Sequence, residues 1–320
     1  MSPRHDAVVI GSGPNGLVAA ITLARAGRSV LVVEAEPRLG GALATEELTL
    51  PGFCHDVFSA VHPAAVASPV LAELELERHG LRWIHPQLAM VHPLPGRRAA
   101  VLSRDLARTR TNLDALSHGD GARWQALVEP LLGHWEALRA TMLSGFPPLG
   151  GPARLLGGLG VRGTLEFSRL LLLSADALAG EVFRGDGAAW LYGSSLHADA
   201  PLDASGSAIA GLWLNLLGHR VGWPSAEGGA GRVAAALVDC LHELGGHTRT
   251  SARAERVEAR RGRVTGVRLA GGDVVGTRIV IATTTAHGLV DLAGEALGDA
   301  YLRRLLRFRY GPRTLKLDWA

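Results

Sequence analysis

A glycine turn set between an apolar run and a helix-forming stretch constrains this sequence more than any other feature. Ala7–Ile10 reads AVVI, short and wholly apolar, as a strand buried on both faces of a parallel sheet must be. GSGPNG follows at 11–16, then LVAAITLARAG, a helix stopped at Gly27. Val30–Val33 is a second buried strand with Glu34 at its carboxyl end. Strand, glycine turn, helix and strand form one βαβ unit. Gly11 permits the tight turn, Gly13 lets backbone approach a pyrophosphate, and Gly16 lets helix pack on strand. Ser12 and Asn15 lie in the same turn. The helix N-terminus offers unpaired N–H groups and the positive end of its dipole to phosphate. Glu34 stands where a carboxylate accepts ribose hydroxyls, which disfavours a 2′-phosphate. These features point to a dinucleotide and leave NAD and FAD both open.

The next residues, EAEPRLGGALATEE at 34–47, carry a second glycine pair. Gly40 and Gly41 permit another close backbone approach, and Arg38 can balance phosphate charge. This segment resembles the Arg-x-Gly-Gly segment of FAD-dependent oxidoreductases of the amine oxidase and phytoene desaturase superfamily. The resemblance continues through PGFCHDVFSAVHP at 51–63, toward the phytoene-desaturase-like branch. It implies FAD as cofactor, bound by Gly11, Ser12, Gly13, Asn15, Gly16, Glu34, Ala35, Arg38, Gly40, Gly41 and Ala42. Ala254, in the strand before GRVTGV, matches a residue that meets adenine through its backbone. Two departures stand out. Ala42 replaces the arginine that amine oxidases often carry after the glycine pair, which argues against a monoamine oxidase. Ala282-Thr283-Thr284 stands where related flavoproteins often have Ala-Thr-Gly, and lacks the glycine that would ease a close backbone contact.

The implied fold class is α/β: a Rossmann-like FAD-binding domain with a parallel sheet, and an inserted, mostly helical α+β substrate domain. Residues 1–68 and 221–290 are assigned to the FAD domain, 69–220 to the substrate domain, and 291–320 to a substrate-domain return. Along the insert, Leu71–His79 reads as an acidic helix, and Leu81–Ile84 and Ala99–Leu102 as strands. Residues 105–145 read as helical with a break at Pro130, 146–160 as a proline- and glycine-rich joint, and Phe167–Ala179 as an apolar helix. Leu155–Leu173 reads as a core helix, with a membrane-facing entry for a lipid substrate as the alternative. After Gly222 a glycine-rich turn and helix resemble the family's return to the FAD domain, and short strands follow with Gly271-Gly272 as a hairpin turn. Ile279–Ala282 is apolar enough to rejoin the parallel sheet. The chain ends at RTLKLDWA, which reads as a substrate-domain strand cut in mid-element, whereas the relatives implied by the resemblance continue and cover the flavin. A truncated chain is therefore expected.

Composition sets further limits. The pI of 9.3 exceeds what a net charge of +3 suggests, because Lys316 is the one lysine and the other basic residues are arginine. Those arginines are scattered, apart from a short run near Arg303, Arg304, Arg307 and Arg309 that reads as a solvated helix face, so nucleic acid is not an expected partner. Cys54 and Cys240 lie far apart, which argues against a disulfide framework, dithiol redox centre or structural metal. Thirteen histidines form no HExxH or comparable ligand spacing, and no GxSxG occurs. His62, before Pro63, is the one expected near the flavin. An apolar run starting at Ala7 does not read as a secretory peptide, and a cytoplasmic protein is expected. The function these readings support is hydride removal from a small apolar or lipid-like substrate, with no catalytic side chain assigned. The alternatives are a non-catalytic nucleotide-binding protein of the GDP-dissociation-inhibitor type and an NAD-dependent dehydrogenase.

Overall fold

The structure, a computed structural model, describes residues 4–145, 147, 149–311 and 313–320. Contacts divide it into two units. The first comprises Met1–Ala60, Leu74–Arg82 and Ala226–Ala320; the second comprises Val61–Glu73 and Trp83–Ser225. The segment 291–320, read from sequence as a substrate-domain return, thus joins the first unit, and 74–82 joins it as well.

In the first unit, β1 (Ala7–Ile10) leads through the glycine turn into α1 (Pro14–Arg25) and β2 (Val30–Val33). A ribbon follows, β3 (Thr45–Glu47) and β4 (Cys54–Asp56), and the chain returns through α2 (Gly231–Glu243) to β5 (His247–Arg249). An antiparallel meander comes next, β6 (Ala254–Arg260), β7 (Arg263–Leu269) and β8 (Val274–Gly276). Then come β9 (Ile279–Ala282), α3 (Ala286–Ala293) and α4 (Asp299–Leu306). The parallel sheet has the order β9-β1-β2-β5, and Ala7 is in register with both Val30 and Ile279. All four residues of β1 and of β2 are buried, as strands covered on both faces require. Leu17, Ala20 and Ile21 of α1 bury one side, where α1 also packs on α2. On the other side Val8, Ile10, Leu31 and Val33 meet Val257, Val267 and Leu269 of the meander. The apolar strand predicted at 279–282 therefore joins the sheet. Residues 313–320, predicted as strand, form no regular element.

The second unit is mostly helical, with Trp124, Trp190, Leu113, Leu178, Leu191 and Leu212 in its core. Its helices break at places sequence did not indicate. The acidic helix read at 71–79 is a turn of helix at Pro69–Ala72 and a 3-10 turn at Leu76–His79, separated at Glu75, whose φ is +50°. Pro130 lies inside the helix Asp120–Gly133, where buried Trp124, Val128 and Leu131 outweigh its missing N–H; the break comes at His134. From Gly150 the supposed joint is a helix, Gly150–Leu172, kinked at Gly160; Phe146 and Pro148 of that joint lie outside the described residues. The helix read at 167–179 stops at Leu172, and Ser174 caps a new one, Ala175–Val182. The ribbon strand Met90–Leu94, unread because Pro93 interrupts its pattern, pairs with Arg98–Leu102. Leu155, Phe167 and Leu170 are core residues, while Val161, Leu165 and Leu172 of the same helix are exposed. Among the described residues no helix is long and apolar enough to cross a membrane.

Candidate functional site

The glycine turn leaves β1 where two neighbouring strands end, so backbone from three strands converges. The Gly11 N–H donates to the Val33 carbonyl at 2.9 Å, and the Thr283 N–H donates to the Ile10 carbonyl at 2.9 Å. Gly11 has φ +96°, a conformation L side chains rarely adopt. A Cβ at Gly16 would stand 2.1 Å from the Gly11 carbonyl oxygen, so α1 can start against the strand only without one. A Cβ at Gly13 would meet no described atom within 4 Å. Packing demands glycine at 11 and 16; at 13 the bare backbone simply faces outward beside the helix start.

The second glycine pair folds onto the first. Gly41 has φ +57°, and a Cβ on it would lie 3.0 Å from the Gly13 Cα. Ser12, fully buried, ties the two loops together. Its hydroxyl donates to Glu34 Oε2 at 2.5 Å and accepts from the Gly40 N–H at 3.0 Å, while its own N–H donates to Glu34 at 2.9 Å. The Ser12 hydroxyl therefore serves the protein's own loops. Partial burial by itself would raise the Glu34 pKa. The Ser12 hydroxyl, then the N–H groups of Ser12, Glu36 and Ala35, outweigh this and hold the carboxyl below the ordinary glutamate range. Arg38 braces the second glycine loop. Its guanidinium pairs with Glu46 at 3.1 Å and donates to the Gly41 carbonyl at 3.0 Å, so it shapes the loop with its charge already matched. Ser12→Ala would strand the buried Gly40 N–H and free one oxygen of Glu34. We expect a loss of about 1–2 kcal/mol in unfolding free energy and an upward move of the Glu34 pKa, read by carboxyl NMR titration.

A cleft of about 320 Å³ opens at the carboxyl ends of these strands, lined by Gly11, Glu34, Ala35 and Ala254 among others. Residues from four separated segments thus meet. Asn15 and Ala42 are exposed. Thr283, Thr284, Arg253 and Asp291 also line the cleft and were not assigned from sequence. The Thr283 hydroxyl donates to the Ile10 carbonyl at 2.9 Å and would collide, at 2.6 Å, with any Cβ on Gly11. The signal available for it was the Thr283-Thr284-Thr285 run before a helix, in which Thr285 is the N-cap. His62 lies in the second unit, at the N-cap position of Pro63–Ala67, with its ring 6.0 Å from Trp83. The Cys240 thiol is pushed up by burial. Among the described residues no group of three or more His, Cys, Asp or Glu could hold a metal ion.

A doubly covered parallel sheet, a glycine turn opening a helix and a carboxylate at the end of the second strand define a dinucleotide-binding fold. Residues 15–295 match the family described as flavin containing amine oxidoreductase, and the chain belongs to that family. Its dinucleotide is therefore FAD. The chain is 28% identical over its whole length to rat "pyridine nucleotide-disulfide oxidoreductase domain-containing protein 2", of which it covers 60%. It is also 28% identical to a "4,4'-diapolycopene oxygenase" of a Methylomonas species, over 86% of this chain and 54% of the relative. The solved structure of an oxidoreductase from Methanosarcina mazei superposes with a TM-score of 0.63 at 18% identity, over 94% of this chain and 65% of that one, a likeness of fold. The chain thus spans about 60% of the length of the first curated relatives it matches.

Proposed function

We propose that this chain holds the adenine, ribose and diphosphate end of FAD for an oxidoreductase acting on a small apolar or lipid-like substrate. The observation that carries the cofactor half is the docking of Gly41 on Gly13, together with the cleft that Gly11, Glu34 and Ala254 line. Bare backbone N–H groups at Gly13 and at the α1 start suit a diphosphate. Glu34, kept ionised by Ser12, suits ribose hydroxyls and repels a 2′-phosphate. Ala35 and the backbone of Ala254 suit the adenine edge. Bound flavin supplies a hydride acceptor, so the chain's task is to hold the cofactor, position a substrate carbon and exclude water. Similarity to a diapolycopene oxygenase supports an apolar substrate, and Ala42 supports a reading away from amines. The apolar residues Val161, Leu165 and Leu172, exposed on one helix, suit delivery of such a substrate from a membrane surface. Two free cysteines fit the cytoplasm.

The test is optical. Purified protein given FAD should show two visible bands that bleach on reduction, and a colourless protein that takes up no FAD overturns the proposal. Glu34→Ala should weaken FAD binding roughly tenfold to a hundredfold by loss of charge-assisted hydrogen bonds; unchanged affinity refutes the ribose contact.

A further inference from the structure

A second concavity of the first unit lies away from the FAD cleft. It has a volume of about 1070 Å³ and is lined by Arg4, Arg260, Arg261, Arg263 and Arg278, with Thr265 and two valines. Arg4 and Arg278 precede β1 and β9, whereas Gly11 and Thr283 follow them, so this groove lies at the opposite end of the sheet. All five arginines are exposed, and the acids nearby are committed elsewhere. Glu258 pairs with Arg268, Asp273 with Arg249 and Glu295 with Arg256. Among the described residues none of these five arginines forms an ion pair, and they share one groove.

The hairpin that carries three of them is built at a cost. Arg260 and Arg263 are paired across a two-residue turn in which Arg261 has φ +51° and Gly262 φ +72°. That turn has left-handed backbone at both central positions and favours Asn-Gly. Arginine is a poor choice there, and such a residue persists where its side chain is needed.

We propose that this groove binds a ligand carrying clustered phosphates. Guanidinium forks pair with phosphate oxygens bidentately, and only a compact polyanion matches five positive charges in so small a space. Free polyphosphate and a multiply phosphorylated lipid headgroup share this chemistry. At low salt, tripolyphosphate should raise the melting temperature and titrate with heat; phosphatidylcholine vesicles bearing phosphatidylinositol bisphosphate form the second arm. Binding to tripolyphosphate assigns a free ligand, and binding to vesicles alone assigns a headgroup. Arg261→Asn should weaken binding about tenfold while raising the melting temperature, since it relieves the turn. Adding Arg260→Gln and Arg263→Gln should bring the loss to a hundredfold or more. Three glutamines, at Arg303 and Arg304 on α4 and at Arg307 at its C-cap, should leave affinity within about twofold, as charges outside the groove. No binding in either arm, or equal loss from the α4 substitutions, overturns the proposal. Gly13→Ala, which disables the FAD cleft, should leave this titration unchanged, so the two readings fail separately.

Discussion

Gly16→Ala is expected to destabilise the first unit by about 3 kcal/mol, at the upper end of the range for overpacking, and to abolish FAD retention. The new methyl would stand 2.1 Å from the Gly11 carbonyl oxygen and 3.1 Å from the Thr283 hydroxyl oxygen. The first contact is with backbone that itself donates into the sheet, so α1 would have to lift from β1. Gly13→Ala should behave otherwise. Gly13 has φ −61° and ψ 169°, which alanine adopts without strain, and a Cβ there meets no described atom within 4 Å. Stability should change by less than about 1 kcal/mol, in the stabilising direction, while FAD affinity falls roughly tenfold or more as the methyl enters the phosphate approach. Urea unfolding and FAD titration on both variants separate the roles. Equal destabilisation by both would show that Gly13 serves packing alone.

How far the site could be read from sequence follows the range of its interactions. The βαβ unit was legible because strand, turn and helix are contiguous, and each element's residues declare its burial. Ile279–Ala282 was legible too, since a run of four apolar residues has few places to go besides the sheet. Partners distant in the chain were not. Ser12 was assigned to the cofactor site by its place in the turn, but the partners of its hydroxyl, Glu34 and Gly40, lie 22 and 28 residues away. Thr283 backs the glycine turn from 272 residues away, a contact no local pattern encodes. Arg38 was given to phosphate because Glu46, on the following strand, could not be seen as its partner. In the second unit, glycine and proline were read as stops, but tertiary burial carried helices through Pro130 and through Gly157 and Gly158.

Acid should selectively weaken the second unit through His219. The imidazole is 5% exposed in the core. Trp124 Nε1, which can only donate, donates to His219 Nε2 at 3.0 Å, so the ring proton sits on Nδ1 and is given to the Ser103 carbonyl at 2.8 Å. Protonating Nε2 would set two donors face to face. Burial, offset in part by the bond to Ser103, lowers the pKa from 6.5 to about 4. Above pH 6.5 the ring is neutral whether folded or not, and this group adds no pH dependence. As the pH falls below 6.5 the unfolded chain takes up a proton that the folded unit refuses. The penalty grows until about pH 4 and amounts to about 3 kcal/mol. A glutamine at this position can accept from Trp124 and donate to Ser103 without titrating. Unfolding in urea at pH 7, 5.5 and 4 should therefore show wild type losing about 3 kcal/mol more than His219→Gln. Tryptophan fluorescence reports this unit well, because Trp319 alone of the seven tryptophans lies in the other. Parallel losses in the two proteins would mean that His219 accepts its proton in the folded core, and that the Trp124 bond does not hold it neutral.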